Sequence, residues 1–142
     1  SWAAVTPDGP RAWLRGRASG LPQGRGDLGQ RLERLAGRFP VGNLVIIGSD
    51  TPSVRRRDVA AAFRALQTHD AVIGPAMDGG YWLIGLRRSV RGRLPFDGIR
   101  WSSRETLPDT FVALAGLRVA MLDQREDIDD AASLRRASRR RR

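Results

Sequence analysis

The chain of 142 residues contains no cysteine and a single histidine, His69. These absences exclude disulfides, thiolate catalysis and cysteine-ligated zinc, as well as a multi-histidine metal site, so any metal must be a hard cation held by oxygen. Lysine is missing too: all 25 basic residues are arginine, a bias that points to genome composition rather than to a binding code. No apolar run approaches the roughly 18 residues of a membrane span, and no signal-like segment stands at the amino end. A soluble, cytoplasmic protein that engages no membrane is therefore expected. The net charge is +10. Arg135, Arg136 and Arg139 to Arg142 supply six of those charges, leaving +4 for the rest. Residues 135–142 read as a disordered arginine-rich tail, and nucleic acid is not expected as a partner. Residues 1–134 read as one domain, a size that buries roughly two-thirds of its unfolded surface.

What is present is organised around Asn43 to Ser53, NLVIIGSDTPS. Leu44 to Ile47 are apolar and mostly β-branched, which predicts a strand covered on both faces, as in a parallel sheet. Gly48 and Pro52 break the run and leave Asp50 at the strand's carboxyl end, the edge at which open α/β sheets bind ligands. A carboxylate there suits Mg²⁺, which takes one or two protein carboxylates and fills its other positions with water and phosphate oxygens. Capping of the following turn or helix is the alternative role of Asp50.

Around this stretch the chain predicts alternating elements. Trp2 to Val5 reads as a strand, and Gly20 to Gly29, rich in glycine, as a loop that lets backbone approach another group. Leu28, Leu32, Leu35 and Phe39 recur at helical spacing, with Asp27 as the helix cap. A second helix is expected from about Ser53 to His69, with Val59, Ala62, Phe63 and Leu66 as its buried stripe. Ala71 to Gly74 and Tyr81 to Leu86 read as strands joined through Asp78-Gly79-Gly80. Ser102 and Glu105 have the spacing of a capping box for a helix to about Ala115. Pro108 conflicts with that start and would cost about 3 kcal/mol unless the helix begins late. Arg118 to Leu122 reads as a last strand.

Four motifs in register resemble a bacterial family of glycosyltransferase-A-like proteins, of unknown function or known as radical-SAM/selenodomain-associated transferases. They are Gln23-Gly24-x-Gly26-Asp27-Leu28-Gly29-x-Arg31-Leu32, Ile47-Gly48-Ser49-Asp50-x-Pro52, Gly74-Pro75-Ala76-x-Asp78-Gly79-Gly80-Tyr81-x-Leu83-Ile84-Gly85-Leu86, and Ile99-x-Trp101-Ser102. This family is similar to phospholactate guanylyltransferases and molybdenum-cofactor nucleotidyltransferases. The resemblance implies an α/β, Rossmann-like three-layer fold of the nucleotide-diphospho-sugar transferase kind, with a mostly parallel sheet and helices on both faces. It departs at the amino end, where family members carry a further strand and a nucleotide-contacting loop that nothing before Trp2 supplies.

The resemblance implies a transferase that uses a nucleotide-activated donor and Mg²⁺ or Mn²⁺, acting on an acceptor the residues do not identify. Glycosyl and nucleotidyl transfer both stay open, as does assembly into a homo-oligomer. A truncated or catalytically silent homologue that binds a ligand or partner is the alternative. Asp50 is implied as the metal ligand, with Asp129 of the Asp127-x-Asp129 pair as a second ligand or, equally, a helix cap. Gln23, Gly24, Gly26 and Asp27 are implied at the nucleotide, or else as a plain turn with a capped helix. Asp78 is implied as the group that orients or deprotonates the acceptor, alongside a role in a tight hairpin turn. Gly79, Gly80, Tyr81 and Trp101 line the acceptor side, Trp101 either stacking on substrate or closing the core.

Overall fold

Nine elements are found among residues 2–5, 19–39, 42–48, 53–88, 94 and 96–125, the residues described by the computed structural model. They are β1 (Trp2–Val5), β2 (Ser19–Pro22), α1 (Leu28–Ala36), β3 (Gly42–Ile47), α2 (Arg56–Ala65), β4 (Ala71–Pro75), β5 (Tyr81–Arg88), α3 (Thr106–Ala113) and β6 (Val119–Met121). Strands β1 and β2 form a parallel pair, so Gly20 to Pro22, expected in the loop, belong to a strand. The other four strands lie in the order β3-β5-β4-β6. Strand β5 is antiparallel to both β3 and β4, and β6 is parallel to β4. Three of the four strands thus share one direction. The sheet is mostly parallel in that sense, although two of its three ladders are antiparallel because the reversed β5 is inserted between parallel neighbours.

Alternation along the strands distributes apolar side chains to two cores. On one face Ala71, Ile73, Ile84 and Leu86 pack with Leu32 of α1, Phe96, Ile99 and Leu114, with Leu107 of α3 partly buried against them. On the other, Val72, Trp82 and Leu83 pack with Ala62 of α2 and Leu66. Helices therefore cover both faces. Leu66 and Leu83 are fully buried, and each such side chain contributes about 1.5–3 kcal/mol through removal from water. Arg88 at the end of β5 donates to the Ala36 and Phe39 carbonyls, tying the end of α1 to the sheet.

Further expectations change: Phe63, expected in the buried stripe of α2, is 42% exposed. The run Leu44 to Ile47 is not the doubly covered centre of the sheet. Leu44, Val45 and Ile46 are half-buried and Ile47 is 39% exposed, since among the described residues β3 pairs on one side only, with β5. The covered strands are β4 and β5. Ser102 does not cap α3, because it takes a left-handed conformation (φ 55°). Ser103 instead accepts a bond from the Glu105 amide at 3.1 Å. Helix α3 then begins at Thr106, so Pro108 falls in its first turn, where an amide hydrogen is not needed.

Candidate functional site

Because β3, β4 and β6 run the same way, their carboxyl ends meet at one edge of the sheet, together with the start of the reversed β5. The β4–β5 connection is a short hairpin. Ala76 N donates to Gly80 O at 3.0 Å, and Met77-Asp78-Gly79 spans the gap. Asp78 is exposed, and its Oδ1 accepts from Gly80 N at 2.9 Å, so its turn-forming role is realised. Gly79 has φ +96°, and a methyl group there would lie 2.7 Å from the Arg104 Cα. Glycine at this position lets the hairpin tip lie against the start of α3, where Leu107 N donates to Gly79 O at 3.0 Å.

A bulge follows the turn. The register passes from Pro75↔Tyr81 to Gly74↔Leu83, so Trp82 is the extra residue. Tyr81 consequently faces the core of α1, while Trp82 and Leu83, although adjacent, both face that of α2. The Trp82 indole lies over Gly74, where no side chain would fit. Its Nε1 donates to Asp123 O at 3.1 Å.

Tyr81 and Trp101 meet edge to face at 6.4 Å between centroids, and Phe96 lies 6.2 Å from Trp101 on another side. Burial pushes the Tyr81 phenol up to about 12, partly offset by Thr110. Trp101 in turn touches the start of α1: a methyl at Gly29 would be 3.0 Å from its Nε1. The half-buried Trp101 thus acts as packing between the two glycine loops, closing the core rather than standing free of it. Its loop is fixed by Arg100, which donates to Asp109 through both backbone and guanidinium at 2.8–2.9 Å. These bonds hold the Asp109 carboxyl down at about 2.

The Gln23–Asp27 loop closes on its own helix. Asp27 accepts from Gln30 N at 2.8 Å and Gln30 Oε1 accepts from Asp27 N at 3.1 Å, a complete capping box. Arg34 donates to the Gln23 and Arg25 carbonyls at 2.5 and 2.9 Å, and the Gln23 side chain accepts from Arg31 at 3.5 Å. Gly24 (φ +76°) and Gly26 (φ +114°) leave room for Arg34 and Gln30. The capped-turn reading of Asp27 is therefore realised.

Sequence reasoning missed Arg125, which organises the other end of the edge. Its guanidinium pairs with Asp58 at 2.8 Å, donates to Ser53 O at 2.9 Å and Ser53 Oγ at 3.2 Å, and lies 4.8 Å from the Trp82 ring centroid. Its backbone bonds Pro75 O and Met77 N, each at 2.9 Å. The one available signal was an isolated arginine before an acidic run, well upstream of the arginine tail. Asp50, Asp127 and Asp129 lie outside the described residues. Among the described residues no three His, Asp or Glu side chains gather into a metal cluster, and no helix is long and apolar enough to cross a membrane.

This architecture is that of the nucleotide-diphospho-sugar transferases. It aligns with a TM-score of 0.82 and 29% identity to a Desulfovibrio desulfuricans G20 protein provisionally named as one, covering 98% of this chain and 65% of that one. The chain belongs to the family described as "Uncharacterized protein conserved in bacteria (DUF2064)", which matches residues 2–103. It is also 31% identical over 104 residues to the 2-phospho-L-lactate guanylyltransferase of Methanopyrus kandleri, covering 69% of this chain and 54% of that protein. A 60-residue stretch is 38% identical to the 3-phospho-D-glycerate guanylyltransferase of Phenylobacterium zucineum, covering 42% of this chain and 28% of that protein. The matches therefore span about half, or less, of these curated relatives.

Proposed function

We propose that this chain is part of a Mg²⁺-dependent nucleotidyltransferase that moves a nucleoside monophosphate from a nucleoside triphosphate, GTP foremost, to the phosphate of a small phosphorylated carboxylic acid. The observation that carries the reading is the convergence of the exits of β3, β4 and β6 at one sheet edge, fastened through Arg125. The two related guanylyltransferases supply the donor and acceptor class. An acceptor phosphate oxygen attacks the α-phosphorus, a new P–O bond forms, and the α–β bridging bond breaks with its electron pair leaving on pyrophosphate.

Asp50 and Asp129 are the residues that would hold the metal. The donor set fits chemically, since carboxylate oxygens suit a hard cation. In sequence Asp50 stands three residues before Ser53 and Asp129 four after Arg125, whose guanidinium donates to Ser53 O at 2.9 Å. When bound, Mg²⁺ (or Mn²⁺) neutralises charge on the leaving pyrophosphate. Asp78 orients the acceptor through the carboxylate oxygen not engaged by Gly80, with Gly79, Gly80 and the Tyr81–Trp101 pair forming the wall beside it. Backbone groups of Gln23, Gly24, Gly26 and Asp27 approach the nucleotide.

Glycosyl transfer is the second reading, favoured by the likeness to the Desulfovibrio protein. Calorimetric titration with GTP and with GDP-sugars, each with and without Mg²⁺, separates the two. Magnesium-dependent GTP binding that Asp50→Ala abolishes is expected. Equal affinity in wild type and variant would refute the metal assignment, and binding of GDP-sugars alone would favour glycosyl transfer.

A further inference from the structure

We infer that Arg104 determines acceptor specificity by binding the carboxylate of the phosphorylated acid; the inference rests on the nucleotidyltransferase reading. Its backbone is held against the tip of the Asp78-Gly79-Gly80 hairpin. A methyl group at Gly79 would lie 2.7 Å from the Arg104 Cα and 2.9 Å from its carbonyl oxygen, and Leu107 N, in the helix that follows, donates to Gly79 O at 3.0 Å. The loop that carries Arg104 is braced from within. Ser103 Oγ and Thr106 Oγ1 both donate to Arg100 O at 2.8 Å, and the Arg100 guanidinium pairs with Asp109 at 2.8 Å. Arg104 is therefore fixed where it leaves the backbone, against the glycine that follows Asp78. The residue itself is exposed, and among the described residues its guanidinium has no ion pair or hydrogen-bond partner.

Charge gives that uncommitted head a role. A phosphorylated carboxylic acid brings two anionic groups to a hairpin that already bears the Asp78 carboxylate, and like charges repel there unless a cation stands beside them. The acceptor phosphate is engaged in attack on the α-phosphorus, so the carboxylate is the group that still lacks a counter-charge. Arg100 and Arg125, the other described arginines on the segments that meet this hairpin, are committed to protein acids: Arg100 to Asp109 and Glu105 at 2.8 and 3.4 Å, Arg125 to Asp58 at 2.8 Å. Arg104 has none. Its guanidinium also offers the paired N–H groups that match a carboxylate in a planar, bidentate contact, which a lysine ammonium cannot reproduce.

The test measures pyrophosphate release from GTP and Mg²⁺ with paired acceptors. In each pair the second member replaces the carboxylate by an uncharged group: 3-phospho-D-glycerate with glycerol 3-phosphate, and 2-phospho-L-lactate with isopropyl phosphate. Wild type should favour the carboxylated member of the pair it uses. Arg104→Gln should raise KM for that acceptor roughly 10–100-fold, the effect of losing a hydrogen bond between charged groups, while KM for GTP and for the uncharged counterpart stays the same. Arg104→Lys should recover part of the preference. A wild type that does not distinguish the members of a pair overturns the proposal without recourse to any variant. An unchanged acceptor KM in Arg104→Gln, or an equal rise for both members of the pair, overturns it alone. A wild type that releases no pyrophosphate from GTP with any of the four overturns the nucleotidyltransferase reading and this proposal with it.

Discussion

The two glycine-rich loops of this protein look alike in composition and differ in what their glycines accommodate. In Gln23-Gly24-Arg25-Gly26, the missing side chains leave room for Arg34 and Gln30, which belong to the helix that follows directly. In Asp78-Gly79-Gly80, the missing side chain of Gly79 admits the backbone of Arg104, which lies 25 residues away in sequence. The first loop is held in large part by the helix it leads into: Asp27 and Gln30 cap each other, and Arg34 binds the Gln23 and Arg25 carbonyls. The second is held from outside, by α3 through Leu107 and by the strand edge through Arg125. A locally closed loop can be altered with local consequences, whereas the second couples the hairpin tip to two other elements.

That contrast is sharpest at the glycines. Gly79→Ala places a methyl against backbone that cannot swing aside and holds alanine at φ +96°. Overpacking and the left-handed conformation together should cost about 3 kcal/mol, read as a lower urea midpoint. Gly24→Ala meets only the movable end of Arg34 and should cost about 1 kcal/mol. Equal losses would remove the distinction between the loops. Asp27→Ala deletes the cap of α1 and should cost about 1 kcal/mol, with loss of hydrogen-exchange protection confined to the first turn of α1. Disturbance reaching Tyr81 would show that the cap also supports the hairpin, through Trp101.

The smallest effect concerns acid. The Arg100 bonds hold Asp109 at about 2, below its ordinary value of 3.8. A carboxyl lowered on folding contributes stability that is fully present above the unfolded value and lost as pH falls through the folded one. Urea midpoints should therefore decline between about pH 4 and pH 2, and Asp109→Asn should flatten part of that decline. A variant that tracks wild type throughout would mean the Arg100 anchor contributes nothing to stability.

Locally encoded features were legible in the sequence. The Asp27 cap, the Leu28-Leu32-Leu35 spacing of α1 and the apolar stretches of β4 and β5 each follow from neighbours a few residues apart. The family resemblance carried the fold further than periodicity could. What failed depended on partners distant in the chain. Leu44 to Ile47 has the composition of a central strand, yet its exposure is set by which strands lie beside it. Ser102 has the spacing of a cap, but the Arg100–Asp109 anchor accompanies a backbone turn in which Ser103 serves instead. Arg125 was hidden among 25 arginines, because its value comes from Ser53, Asp58 and Trp82, all more than 40 positions upstream.

The bulge at Trp82 fixes the parity of the polypeptide between Pro75 and Leu83. A chain that shed that single surplus residue would regain simple alternation, and phenol and indole could no longer be delivered to opposite sides with Leu83 still on the indole's side. The guanidinium of Arg125 would then lose its aromatic platform. The length of this short connection, as much as its chemistry, therefore governs the working geometry of the protein.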